Sequence, residues 1–158
     1  MSPAHPIVYS LNLSRGMLHM FVDDLTPEEW LHRPCPGANC AAWIVGHLVV
    51  VEGMFHKRFG AESPPLPEGF EAVFARDEVA PARAEYGDVT ALMPLFDAAR
   101  DVTIAAVSAM TPERLAEPLT HQRFSNIGEA AAFCSLHGTM HAGQISLIRR
   151  SLGRPPVV

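Results

Sequence analysis

Lysine is nearly missing from this chain. Lys57 stands alone among 158 residues, the other positive charges are scattered arginines, and the formal net charge is −5. Binding a nucleic-acid backbone requires positive charge gathered on one surface, so nucleic acid is not an expected partner. Cysteine is scarce too. Cys35, Cys40 and Cys134 make no disulfide framework, and free thiols fit a reducing cytoplasm. Long hydrophobic runs are lacking: the longest, Ala41 to Val51, is broken by Gly46 and His47 and falls well short of the roughly 20 residues of a membrane span. Met1 to Tyr9 lacks the charged and apolar regions of a signal peptide. Alternation at period two is absent beyond three or four residues, which excludes a convincing strand. The expectation is a soluble cytoplasmic protein with neither nucleic acid nor membrane as partner. It forms one all-α domain over 1–158, long enough to bury roughly 68–70% of its unfolded surface.

Helical periodicity is present in four segments, about 7–24, 40–59, 89–110 and 127–152. In the first, Leu11, Leu18, Phe21, Val22 and Leu25 recur at threes and fours. The second follows the breaker Pro36-Gly37, with Asn39 as its expected N-cap. The third carries Leu92, Leu95, Phe96, Ala99, Val102, Ala106 and Val107 on one side, with Pro94 in the first turn, where a missing N–H does no harm. Asn126 and Glu129 form a capping-box pattern ahead of the fourth, and Gly153 with Pro155-Pro156 stops it.

Thr26-Pro27-Glu28 follows the first segment and Thr111-Pro112-Glu113 the third, each reading as an N-cap and first turn of a short helix. Between the second and third segments lies 60–88, with Pro64, Pro65, Pro67 and Pro81. A connector of this length usually has a function. It can run the length of a bundle, allowing the second and third helices to lie parallel, or roof a site at one end.

The chemistry centres on histidine. His137 and His141 are four residues apart, which places both imidazoles on one helical face. That face also carries Met140, Gln144, Ile145 and Ile148, and reads as core-facing. Two histidines on such a stripe need a common partner, and a metal supplies one; His47, within Ile44 to Val50, is the third candidate ligand. Three imidazoles with open positions suit zinc, nickel, iron or copper. Gly46, Gly138 and Gly143 flank these histidines and point to close approach of helices or a ligand. Gly138 stands where His-Glu-x-x-His peptidases carry their general base, which disfavours that class. Gln144 is placed to hydrogen-bond a ligand imidazole, and Glu52 to support the site from a second layer or reach a neighbouring helix. Cys134 reads as a small buried hydrophobe and Trp43 as core or a pocket wall. His5, His19, His32, His56 and His121 lack paired spacing and read as surface or local hydrogen-bonding residues.

Asn39-x-x-x-Trp43-x-x-x-His47-Leu48-x-x-x-Glu52 and His137-x-x-x-His141-x-Gly143-Gln144 resemble the second- and fourth-helix motifs of the DinB-like (DinB/YfiT) superfamily. The resemblance implies a four-helix bundle of up-down-down-up topology, a homodimer, and a divalent metal, often nickel or zinc, on His47, His137 and His141. Three readings of function stand beside it. One is a transferase that activates a low-molecular-weight thiol toward an electrophile. Another is a hydrolase using metal-bound hydroxide, with Glu71, Asp77 or Glu78 of the connector as base. The last is a non-catalytic helical dimer holding a metal or a small ligand.

Overall fold

The computed structural model describes residues 2–75 and 83–157. Asp77 and Glu78 lie outside the described residues. Four long helices form: α1 (His5–Val22), α3 (Ala41–Phe59), α5 (Leu92–Ser108) and α7 (Ile127–Ser151), with short helices α2 (Pro27–Trp30), α4 (Phe70–Phe74) and α6 (Pro112–Leu115) between them. No strand occurs among the described residues; an isolated bridge joins Pro118 to Asn126.

Local chemistry explains most helix starts. The Thr26 hydroxyl accepts from Glu29 N–H and the Glu29 carboxylate accepts from Thr26 N–H, a complete capping box. Thr111 caps α6 and Asn126 caps α7. The expected cap at Asn39 is not made. Cys40 occupies the N-cap of α3 with no side-chain capping bond, and burial of Cys40, Ala41 and Ala42 holds that end. The third segment enters through a 3₁₀ turn, Val89–Ala91, capped by Asp88, before α-helix begins at Leu92. Gly60 terminates α3 in the left-handed region at φ 75°, which a side chain would strain.

Side-chain bonds set the helix directions. Arg15 reaches Asp101 (2.5 Å) and His19 reaches Asp97 (3.0 Å), so α1 and α5 are antiparallel. Glu52 meets Arg100, while His56 meets Ala99 and Thr103, so α3 and α5 run parallel. His47 lies against His141, and Phe55 against Phe133, which makes α3 and α7 antiparallel. Arg149 donates to the Phe21 carbonyl at the C-terminal end of α1, making α1 and α7 parallel. The bundle is therefore up-down-down-up, and the 60–88 connector is its long crossover.

Two apolar clusters fill the interior. One joins Leu18, Phe21, Ile44, Leu48, Phe96, Ile145 and Ile148 to Phe70 and Phe74 of the crossover. The other joins Leu11, Phe55, Phe59, Val107, Phe124 and Ile127. Between helices lies a buried polar layer that periodicity does not show. Arg100 donates to Glu52 (2.7 Å), Ser14 Oγ (2.9 Å) and the Leu11 carbonyl (3.1 Å), and Thr103 donates to the other Glu52 oxygen.

Candidate metal centre

Helix spacing brings His137 and His141 together on α7, and the antiparallel approach of α3 adds His47. One ring nitrogen from each lies within 4.8 Å of the others. The Nε2 atoms of His137 and His141 are 3.1 Å apart. Each pair of rings meets edge to face, with His47 centroids 5.4 Å from both partners.

The surroundings set the tautomers. His141 Nδ1 donates to Gln144 Oε1 at 2.9 Å, and His47 Nδ1 donates to the Phe74 carbonyl at 3.2 Å. A proton on Nδ1 puts the lone pair on Nε2, the usual arrangement for a metal-ligating imidazole. In the 3.1 Å hydrogen bond His137 Nε2–H donates to the His141 lone pair, and a cation bound between them would stand in place of that proton. Burial pushes His137 down to about 3, helped by His141, His47, Arg123 and Arg100. Burial also lowers His141, against the opposing hydrogen bond from Gln144. The pair stays neutral at physiological pH, as ligands must. Three imidazoles suit a divalent transition metal.

Aromatic rings hold the ligands from outside. Trp43, one turn before His47, stacks on it at 4.7 Å and 6°, and Phe133 stacks on His137 at 5.5 Å and 16°. The crossover supplies part of the cradle. A β-carbon at position 46 would overlap the Phe74 ring, so Gly46 is what lets α4 dock beside His47. A β-carbon at Gly138 would make only ordinary contact with Ser14 Oγ (3.4 Å) and Arg100 Nη2 (3.5 Å), so this glycine marks a close packing of α7 on α1 without requiring it. Gly143, by contrast, faces open space and makes no close approach.

Several other expectations change. Glu52 does not support the histidines: it is 2% exposed and bound to Arg100 and Thr103. Met140 points outward rather than into the core, because the stripe through His137 and His141 is narrow and Met140 lies one residue off it. His56 is fully buried, bonded through Nε2 to the Ala99 carbonyl (2.9 Å) and through Nδ1 to Ser63 Oγ (2.9 Å). Cys134 is buried as expected, and desolvation raises its thiol well above the ordinary range. Glu71 is exposed on α4.

A cleft of about 360 Å³ opens against His47 and His137, walled by Phe55, Phe124 and Phe133 and edged by Arg58, His121 and Arg123. Spacing alone reads His121 as a surface or local hydrogen-bonding residue and gives Arg58 and Arg123 no role, since the three come from a loop and a helix end.

The DinB superfamily pattern matches residues 10–145. The chain belongs to the DinB superfamily. Its fold is similar to that of YfiT from Bacillus subtilis, described as a probable metal-dependent hydrolase with an unusual four-helix bundle topology. The TM-score is 0.73 at 16% identity, covering 98% of this chain and 91% of that one. No curated protein sequence matches the chain. No helix among the described residues is long and apolar enough to cross a membrane.

Proposed function

We propose that His47, His137 and His141 hold one divalent cation, zinc or nickel, and that the centre activates a low-molecular-weight thiol for transfer to a small electrophile. The observation that carries this reading is the cleft's lining. It opens on two of the three histidines, and no carboxylate lines it among the described residues. A bound metal supplies positive charge that favours thiolate at neutral pH without a protein base. The chain's own residues do the positioning. Gln144 and the Phe74 carbonyl orient the imidazoles, while Trp43 and Phe133 limit water around them. In the transfer, the thiolate sulfur bonds to the electrophilic carbon, the leaving group departs with its bonding pair, and the thiol proton passes to solvent.

The test is thiol consumption by zinc- or nickel-loaded protein with glutathione, cysteine and an aryl halide. Turnover lost in His137→Ala is the expected result; no turnover in protein holding one equivalent of metal overturns the reading. Similarity to YfiT favours a second reading, hydrolysis. Ester or amide cleavage that survives removal of all thiols but not a chelator would select it.

The homodimer belongs to the same proposal, on the face shared by α1 and α7. Tyr9, Leu13 and Met20 are exposed along α1, and Leu136, Met140 and Leu147 along α7. Gly16 and Gly143 fill the equivalent slot in each stripe with open space outside them, which permits close packing of a second copy.

A further inference from the structure

The cleft beside His47 and His137 carries positive charge that thiol activation does not use, on a chain of net charge −5. Five arginines outside the cleft, Arg15, Arg100, Arg114, Arg149 and Arg154, each pair with a carboxylate. Arg58 and Arg123 pair with none among the described residues. Arg58, in the last turn of α3, donates one N–H to the Met54 carbonyl (3.1 Å) and sets its Cζ 5.4 Å from the Phe55 ring centre. Arg123, in the loop between α6 and α7, sets its Cζ 5.8 Å from the Phe133 ring centre.

Both guanidiniums are held in place. The rings beneath them, Phe55 and Phe133, are 6.1 Å apart, and Phe124 lies 5.9 Å from each. Stacking on an aromatic face restrains an arginine while leaving its N–H fork available at the edge. The loop bearing Arg123 is closed at its base by Leu119 N–H to Ser125 O (2.8 Å) and Ile127 N–H to Glu117 O (3.1 Å). His121 accepts the Arg123 backbone N–H at Nδ1 (3.2 Å), which puts its proton on Nε2 as a further donor. Outward from the histidines, the surface is therefore an aromatic floor followed by a rim of donors. Phe133 connects the two, since it stacks on His137.

We propose that this cleft selects substrates bearing an anionic group on an apolar, ring-sized body, with Arg58 and Arg123 as the specificity-determining residues. The floor accepts the body, and the guanidiniums accept a carboxylate or phosphate. The inference rests on the histidine centre for its catalytic meaning; anion recognition itself does not require the metal.

The test is calorimetric titration of phenylacetate and its neutral amide, phenylacetamide, into the full chain, both metal-loaded and chelator-stripped. Parent, Arg58→Gln, Arg123→Gln and the double variant are compared, with metal content measured for each. We expect the parent to favour the anion about tenfold in both forms, each single variant to lose about threefold, and the double variant to lose the preference with its metal content intact. No preference in the parent, or a preference that survives the double substitution, overturns the proposal. A preference that vanishes only on stripping also overturns it, because the carboxylate then sits on the metal. A parent that holds no metal yet keeps the arginine-dependent preference would instead sink the thiol-transfer reading and leave this one standing.

Discussion

At the scale of single residues, the site depends on where protons sit. Gln144 accepts from His141 Nδ1 and so turns the Nε2 lone pair toward His137. Gln144→Ala should weaken metal affinity about 10- to 100-fold while leaving one site per chain, measured by competition with a chromophoric chelator. Alanine at His47, His137 or His141 should abolish stoichiometric metal; retention of a full equivalent by all three variants would refute the three-histidine centre. The Glu52–Arg100 pair is a different matter, because it is buried and remote in function. Arg100→Met should cost about 3–5 kcal/mol in urea unfolding by stranding Glu52, and Glu52→Leu added to it should recover much of that loss. The four-residue spacing made His137 and His141 legible as a pair. Spacing left Glu52 between the histidines and a neighbouring helix; the helix is what it reaches, and its partner Arg100 was not legible because it stands 48 positions away.

At the scale of elements, the crossover is part of the site. Phe74 of α4 lies where a side chain at position 46 would be, and its carbonyl receives the His47 proton. Gly46→Ala should therefore lower metal affinity although alanine favours helix by about 1 kcal/mol. Phe74→Ala in the Gly46→Ala background should relieve the overlap, so a thermal-melt double-mutant cycle should be strongly non-additive. Gly143→Ala, facing open space within one chain, should stabilise α7 by about 0.4–1 kcal/mol when made in the monomeric Leu136→Glu, Met140→Glu background. Helix positions were legible to within a few residues because apolar spacing and the caps at Thr26, Thr111 and Asn126 act locally. The cap expected at Asn39 failed because burial of the flanking Cys40 and Ala41 outweighs a local hydrogen bond at that end.

At the scale of the whole molecule, charge ties the helices together and makes stability depend on pH. His19 of α1 bonds Asp23 on its own helix and Asp97 on α5. Burial opposes its charge, but the hydrogen bonds to Asp97 and Asp23 outweigh burial and raise its pKa above 6.5. The stabilisation is fully present below the unfolded pKa and is lost as pH rises through the folded value. His19→Gln should accordingly flatten the decline in urea midpoint as pH rises above 6.5. His56 works in the opposite sense. Burial lowers its pKa, so its contribution is present above 6.5 and is lost as pH falls. The proposed α1–α7 association is tested by light scattering: Leu136→Glu with Met140→Glu should give monomers that keep their helical signal and metal.

The sequence by itself determined the helices, their apolar faces and the pairing of His137 with His141, because these depend on neighbours within a turn or two of the chain; it named His47 as the third candidate without setting its distance from them. Tertiary structure alone decided three further things. It placed His47 against the α7 pair, bonded its Nδ1 to a crossover carbonyl, and gathered an aromatic floor with Arg58 and Arg123 from α3, α7 and a loop. Each of these joins groups that are distant in sequence, and only the packing of one helix against another sets the distances between them.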